Sequence, residues 1–275
     1  MKGIDVSDNQ GYIDWAKVKA DGVQFAILRS TRGSGNPDKQ LASNIKGCVE
    51  ADIPFDFYKY MYALSEDEAR EEAWKVAEAL VSMGIVPDKS TYIWGDVEDK
   101  TLKALSTQQL TGIVKAFKET ILSAGFGFGL YMGKYDYESG EVDASQFNDD
   151  LWIARYYNGY NVMDIAQNPN QDYAPVAKAG SLWGWQYSSS GRVNGINGDV
   201  DLDIAYYDIK KAEVLTEYYQ TPEFTLIDSL NKIGVDSSYK NRLMIAVKNG
   251  IYGYSGKAEE NLRMLELLNS GKLIK

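Results

Sequence analysis

The sequence predicts an α/β protein, in which a barrel of eight strands with an incomplete outer ring of helices is followed by a small all-α module. Five apolar strand patterns alternate with amphipathic helix patterns, which favours parallel strands joined by helical crossovers. Three further strands are joined by loops rich in Asn, Gly and Ser. Past residue 208 the strand patterns stop, and three short amphipathic segments follow.

The eight strand patterns are short runs that are either apolar or alternate between apolar and polar residues. They cover residues 3–7, 24–30, 54–62, 91–99, 128–133, 151–156, 182–187 and 201–205. Helices are predicted over residues 13–20 and 38–51. Two longer helices begin at the capping boxes of Ser65 and Ser106.

Carboxylates at the end of the fourth strand pattern are the first candidates for chemistry. Side chains alternate between the two faces of a strand, so Asp96 and Glu98 share a face. In a parallel α/β barrel the C-terminal ends of the strands carry the chemistry. Two carboxylates at such an end fit a general acid/base pair. From this stretch alone, the beginning of a solvated loop fits equally well.

The composition excludes several classes of enzyme. The 275 residues contain no His, which removes Ser-His-Asp and Cys-His catalysis and His-ligated zinc. The single Cys, Cys48, lies in a helical pattern and is expected in the core rather than as a nucleophile. We expect neither a metal nor a cofactor. A net charge of −10 argues against nucleic acid as a partner.

The C-terminal part of the chain is predicted to be a separate helical module. Its amphipathic segments cover residues 225–233, 238–249 and 256–270. Residues 224–275 carry eight Lys and Arg against five Asp and Glu, although the whole chain is acidic. A basic helical module suits an anionic surface such as a bacterial wall, and an oligomerisation unit is the alternative. The predicted bounds are 1–208 for the barrel, 209–223 for a linker and 224–275 for the module.

Short motifs at the ends of the predicted strands occur together in one known family. In chain order they are Gly3-Ile4-Asp5-Val6-Ser7, Ile27-Leu28-Arg29-Ser30-Thr31, Ile53-Pro54 with Tyr58 and Tyr60, Asp96-Val97-Glu98, Gly129-Leu130-Tyr131, Leu151-Trp152-Ile153-Ala154-Arg155-Tyr156, Trp185-Gln186-Tyr187-Ser188, and Val200-Asp201 after Gly198. Each motif is weak alone, but the whole set in this order is a specific pattern. On these motifs, residues 3–208 resemble glycoside hydrolase family 25, the lysozymes (muramidases) found in phage lysins and bacterial autolysins.

The resemblance implies a fold, an activity and catalytic residues. The family has a flattened, TIM-like (β/α)5(β)3 barrel, and it hydrolyses the β-1,4 bond between N-acetylmuramic acid and N-acetylglucosamine in peptidoglycan. Glu98 matches the proton-donating acid, and Asp96 matches its close carboxylate partner. Asp5 and Asp201 match aspartates of the first and last strands, for which a structural role is the alternative. Asp203 matches a position that varies in the family, and we expect it to be structural.

The matched motifs also predict residues that bind the substrate. They are Tyr58, Tyr60, Tyr131, Trp152, Arg155, Trp185 and Gln186. For the two tyrosines of the third strand, core packing is as good an explanation as sugar contact, and both can hold together. Lys59 stands where many members of the family have His. By strand alternation it faces away from Tyr58, so we expect it to snorkel at the barrel exterior without a catalytic role.

The tail resembles the short three-helix wall-binding repeats of Gram-positive phage lysins, over residues 241–250 and 254–268. Peptidoglycan is the expected partner, with self-association through the tail left open. No apolar run approaches a membrane span, and no apolar signal region opens the chain. We expect an endolysin made in the host cytoplasm that acts on the wall after release. The alternative, a catalytically inactive glycan-binding barrel, is disfavoured because Glu98 and Asp96 are both present.

Overall fold

The barrel predicted from the sequence is confirmed in the computed structural model, which describes residues 1–33, 35–147, 150–214 and 225–275. Eight strands of the described residues close into a ring. They are β1 (Lys2–Val6), β2 (Phe25–Arg29), β3 (Phe55–Tyr60), β4 (Tyr92–Asp96), β5 (Gly127–Gly133), β6 (Asp150–Ala154), β7 (Ser181–Arg192) and β8 (Val200–Ala205).

Each of the first five strands is followed by an α-helix, as the (β/α)5(β)3 order requires. The helices are α1 (Trp15–Ala20), α2 (Leu41–Glu50), α3 (Glu66–Ser82), α4 (Thr107–Ser123) and α5 (Lys134–Ser139). The capping box predicted at the start of α4 is present, because Ser106 Oγ accepts the Gln109 N–H at 3.3 Å while the Gln109 side chain accepts the Ser106 N–H at 3.1 Å. No described helix is both long and apolar enough to cross a bilayer.

The direction of β8 decides which residues meet at the end of the barrel. Strands β1 to β7 run parallel to one another, whereas β8 is antiparallel to both β1 and β7. The start of β8 therefore lies at the same end as the C-terminal ends of the parallel strands. Asp201, the second residue of β8, is the cross-strand partner of Asp5 on β1.

Aromatic rings fill the barrel beneath that end. The buried cluster consists of Phe25, Ile27, Trp94, Tyr131, Trp152, Ala154, Trp183, Ala205 and Ile209. Two glycines make room for its rings: a Cβ on Gly3 would lie 2.4 Å from the Phe25 ring, and a Cβ on Gly129 would lie 2.2 Å from the Trp94 ring. Interiors are close-packed, so these positions tolerate no side chain without a shift.

Lys59 does not snorkel to solvent, which corrects the expectation from the sequence. Its side chain is fully buried between β3 and α3, where Nζ lies 3.7 Å from Glu72 Oε1 and donates to the Gly33 carbonyl at 3.1 Å. Glu72 in turn accepts the Tyr62 N–H. Strand alternation correctly placed Lys59 away from the barrel interior, but it carries no information about a carboxylate on the helix that covers that face.

The three helices predicted in the tail are present as α6 (Leu226–Lys232), α7 (Tyr239–Lys248) and α8 (Ala258–Asn269). Their apolar sides form one buried cluster, which includes Leu226, Leu230, Ile245, Met264, Leu265 and Leu268. Thr225 and Ser238 cap α6 and α7 through their side-chain oxygens. The amphipathic pattern thus identified the three helices.

The described residues divide into two compact units. One comprises Met1–Val76 with Lys89–Ala212, and the other comprises Ala77–Asp88 with Glu213–Lys275. Residues 215–224, which include most of the predicted linker, lie outside the described residues. The domain bounds proposed from the sequence therefore stay a prediction.

Candidate active site

The four carboxyl groups predicted to be catalytic lie together at the end of the barrel where the parallel strands end. Asp5 precedes the last residue of β1, Asp96 ends β4, Glu98 follows two residues later, and Asp201 lies near the start of β8. The charges of these groups act on one another, and Asp203 of β8 belongs to the same cluster. The reversed direction of β8 brings Asp201 to this end.

Asp96 and Glu98 differ in their access to solvent. The Asp96 carboxyl is buried, whereas Glu98 is exposed at the mouth of the cleft. Burial raises the pKa of Asp96 well above its usual range, and the negative charges of Glu98 and Asp5 raise it further. The pKa of Glu98 is also raised, first because surrounding protein displaces water and then by the charge of Asp136. Because the charge of Glu98 makes ionisation of Asp96 less favourable, one carboxyl group can keep a proton while the other is ionised.

A network of side-chain hydrogen bonds holds Asp5 in place. Gln186 Nε2 donates to Asp5 Oδ2 at 2.7 Å. Gln186 Oε1 accepts from the hydroxyls of Tyr131 and Tyr156, both at 2.8 Å. Because two hydroxyl donors engage the amide oxygen, the amide N–H is directed at Asp5. Burial, followed by the charge of Asp203, raises the pKa of Asp5 well above its usual range.

The two aspartates of β8 occupy different depths. Asp201 is half-buried, and its pKa is raised by burial and by the charges of Asp5 and Glu98. Asp203 is fully buried, and its Oδ1 accepts the indole N–H of Trp152 at 2.8 Å. Asp201 therefore faces the cleft, while Asp203 lies under it.

Tyr58 and Tyr60 stand beside the carboxyl groups with part of each side chain exposed. Burial and the charge of Asp5 raise the pKa of Tyr58, and Asp96 and Asp201 contribute to the same shift. Tyr60 lies closer to Glu98. Burial raises the pKa of Tyr60, and the charge of Glu98 raises it further. Each ring is partly packed and partly exposed, so core packing accounts for part of each ring and sugar contact stays a prediction.

Four other residues of the predicted substrate-binding set are buried, namely Tyr131, Trp152, Trp185 and Gln186. Trp185 Nε1 donates to the Arg155 carbonyl at 2.8 Å, and its ring packs against Tyr157 and Tyr187. These four side chains support the floor and the loop after β6, and their contact with substrate stays a prediction. Arg155, which is partly exposed and lies over the Tyr173 ring, remains a candidate for contact.

An ion-pair network that the sequence analysis missed ties two loops together beside the site. Arg29, the last residue of β2, pairs with Asp8 in the loop after β1 and with Asp38 in the loop after β2. Arg32 pairs with Asp8 as well, with 3.1 Å between Nη1 and Oδ2. The signal was present in the sequence, because an Arg at a strand end and acids in the adjoining loops are brought together by a parallel barrel.

The arrangement is suited to acid/base chemistry. A carboxyl group with a raised pKa is exposed at the mouth, a second one lies buried beside it, and an aromatic floor excludes water beneath both. Within the described parts of the chain, no group of three or more Asp, Glu or Cys is placed to hold a metal ion.

Comparison with known proteins assigns the barrel to a family. The model of the family described as glycosyl hydrolases family 25 matches residues 4–196. The chain is 29% identical to the autolytic lysozyme of Clostridium acetobutylicum over 203 residues, which are 74% of this chain and 55% of that protein. The chain thus spans little more than half the length of this relative.

Two solved structures share the fold and a quarter of the sequence. The catalytic domain of endolysin ply40, from bacteriophage P40 of Listeria monocytogenes, superposes with a TM-score of 0.60 at 26% identity, over 76% of this chain and 94% of that one. The modular autolysin LytC of Streptococcus pneumoniae superposes with a TM-score of 0.58 at 27% identity, over 74% of this chain and 46% of that one.

Proposed function

Because the chain belongs to glycosyl hydrolases family 25, we propose that it is a lysozyme that hydrolyses the β-1,4 bond between N-acetylmuramic acid and N-acetylglucosamine in peptidoglycan. The observation that supports this most directly is the carboxyl cluster at the end of the barrel, with Glu98 at its mouth and Asp96 beside it. Glycoside hydrolysis needs an acid that protonates the leaving oxygen and an anion that stabilises the oxocarbenium-like transition state.

Glu98 has the properties of the acid. Its carboxyl is exposed, so that a glycosidic oxygen can reach it, and its raised pKa keeps the proton available at a pH where an ordinary Glu has lost it. Lys103 limits this shift, since its charge lowers the pKa of Glu98 while forming an ion pair of 2.9 Å with Asp136. The pKa of Glu98 is therefore raised enough to retain the proton, but not so far that the proton can no longer be transferred.

Asp96 is proposed as the stabilising anion because of its position beside Glu98; its pKa is raised partly by the charge of Glu98, and a proton on Glu98 removes that charge. Its Oδ1 is buried and has no hydrogen-bond partner among the described residues, which leaves it to a group of the substrate. Two roles fit this oxygen: attack on the anomeric carbon, or orientation of the N-acetyl N–H so that the acetamido oxygen attacks instead. In both roles of Asp96, Glu98 is the acid. Asp5 and Asp201 are the other two carboxyl groups that face the cleft.

We propose an endolysin-type role for the chain, acting on the wall after release from the cytoplasm in which it is made. The likeness to the catalytic domain of a phage endolysin supports this role. The helical module is proposed to bind the wall, because residues 224–275 carry an excess of Lys and Arg in an otherwise acidic chain. Binding would hold a soluble catalytic barrel close to an insoluble substrate.

The products of digestion test the proposal. Purified Gram-positive peptidoglycan is incubated with the protein, and the released fragments are reduced with borohydride and identified by mass spectrometry. The proposal predicts fragments that end in reduced N-acetylmuramic acid. Fragments that end in reduced N-acetylglucosamine, or new amino termini without new sugar ends, contradict it.

The same assay decides about the alternative of an inactive glycan-binding barrel. That alternative predicts co-sedimentation of the protein with peptidoglycan and no new reducing ends at any pH. The buried oxygen of Asp96 and the exposed acid Glu98 favour the enzyme, because a binding module has no use for a proton donor at the bond position.

A further inference from the structure

Asp203 is a fully buried carboxyl group that the proposed mechanism does not use. It lies on β8 opposite Gly3, with 0% of the residue exposed. Its Oδ1 accepts from Trp152 Nε1 at 2.8 Å, and its carboxyl lies close enough to that of Asp5 for a proton to be shared between them. Its Oδ2 is buried and meets no N–H or O–H donor among the described residues. A buried carboxylate oxygen without a donor is costly, and a proton between the two carboxyls removes that cost.

The hydrogen-bond donors to Asp5 and Asp203 are both uncharged groups. Asp5 receives the Gln186 amide N–H, and Asp203 receives the Trp152 indole N–H. Neither aspartate forms an ion pair within the described ranges of the chain. Two adjacent buried carboxyl groups without a cation do not both ionise near neutral pH.

The titratable groups that face the pair from neighbouring strands are acids as well. Asp201 lies beside it on β8, Glu98 acts on it from the end of β4, and Tyr58 of β3 and Tyr187 of β7 are in range. Each ionised neighbour makes a second negative charge on the pair less favourable. The surroundings therefore favour one charge and one proton for the two carboxyl groups.

We propose that Asp203 is a positioning residue that shares a single proton with Asp5, so that Asp5 faces the cleft without a full negative charge. The consequence for catalysis rests on the proposed lysozyme function, whereas the shared proton does not. A charge on Asp5 raises the pKa of Asp96. Removing that charge lets Asp96 ionise at a lower pH, at which Glu98 still holds its proton.

The variant Asp203→Asn tests the proposal with little change in shape. The Asn oxygen accepts the Trp152 N–H, and its amide donates to Asp5, but no proton is shared. Asp5 then ionises as a single acid, and its charge raises the pKa of Asp96. We expect the acid limb of the kcat/KM profile to move upward by about one pH unit, which is roughly a tenfold loss of rate on that limb. The exposed variant Asp67→Asn serves as the control and should keep the wild-type profile.

A spectroscopic measurement tests the shared proton without activity. The Trp152 indole ¹H–¹⁵N resonance, assigned with Trp152→Phe, reports on the carboxyl that accepts its proton. In the wild type this resonance should move with pH as the pair gains or loses its proton, and in Asp203→Asn most of that movement should be lost. If Asp203→Asn does not fold, Asp5→Asn provides the second test: Asp203 then titrates alone, at a lower pH than the pair.

The outcomes separate this inference from the proposed function. An indole resonance with the same pH dependence in the wild type and in Asp203→Asn overturns the shared proton, and so does an unchanged acid limb in an active enzyme. A changed indole titration in a protein that releases no muramic acid ends supports the shared proton and contradicts the lysozyme function.

Discussion

Tyr60 shows how one side chain of the cleft serves two purposes. Its hydroxyl donates to Asp99 Oδ2 at 3.3 Å, and its ring packs against that of Tyr62 with 5.0 Å between the centroids. Asp99 also accepts from the N–H and hydroxyl of Thr101, which fixes the loop after β4. The exposed part of the Tyr60 ring lies beside Glu98, so a sugar bound for cleavage would pass over it.

The variants Tyr60→Phe and Tyr60→Ala separate these purposes. Loss of the ring should raise KM for soluble glycan fragments about fivefold, the equivalent of roughly 1 kcal/mol of stacking, with kcat changed little. Tyr60→Phe keeps the ring and should stay close to the wild-type KM. Initial rates measured over a range of fragment concentrations check this. A Phe variant as impaired as the Ala variant would show that the hydroxyl, not the ring, matters.

At the scale of elements, the pairing of strands β4 and β5 requires a glycine opposite a tryptophan. Gly129 is the register partner of Trp94, whose ring occupies the space of a Cβ. Trp94 cannot move aside easily, since its ring is packed against Trp152 and Trp183 with centroids 5.9 and 4.4 Å away. The close approach of the two strands is thus part of what closes the barrel under the site.

Gly129→Ala should therefore destabilise the protein by about 1–3 kcal/mol, the usual cost of overpacking a core. Urea unfolding followed by tryptophan fluorescence measures the change. Gly112→Ala on α4 is the matched control, because its added Cβ would meet only the end of the flexible Glu66 side chain. Equal stability of the two variants would mean that the aromatic floor is loosely packed.

The element scale also shows what the sequence could predict. Periodicity located all eight strands, helices α1 to α4 and the three helices of the tail, because each pattern reflects which face of an element is buried, but it did not locate the short helix α5. It did not foresee that Trp185 is buried against Tyr187, since β7 carries an irregularity in its pairing with β6 between Leu182 and Gly184. It also missed the partner of Lys59, because pairing across elements depends on tertiary packing. The matched motifs located the carboxyl cluster, but nothing in them indicated that the carboxyl groups of Asp203 and Asp5 lie side by side.

At the scale of the whole molecule, buried acids couple stability to pH. Asp56 of β3 is buried and accepts the Tyr92 N–H at 2.9 Å, and burial raises its pKa from 3.8 to about 7. The folded protein holds this proton more tightly than the unfolded chain. Its contribution to stability is therefore complete below pH 3.8 and is lost as pH rises to about 7. Asp5, Asp96 and Asp203 act with the same sign.

Asp56→Asn should remove this part of the pH dependence. The Asn oxygen still accepts the Tyr92 N–H, but the side chain cannot ionise, so Tm should fall less steeply than in the wild type between pH 4 and about 7. Thermal unfolding followed by circular dichroism at several pH values measures this. Asp67→Asn should give a curve parallel to that of the wild type. A parallel curve for Asp56→Asn would mean that Asp56 is already ionised in the folded state.

The measurement that tests the central claim most directly compares Glu98→Gln with the wild type on peptidoglycan. The exposed carboxyl is replaced by an amide of the same shape, so the fold should be retained while the proton donor is lost. The release of reduced N-acetylmuramic acid ends should fall roughly a thousandfold. Glu119→Gln, the same change at an exposed position of α4, should leave it unchanged. A folded Glu98→Gln variant that releases these ends at the wild-type rate would contradict the assignment of Glu98 as the acid.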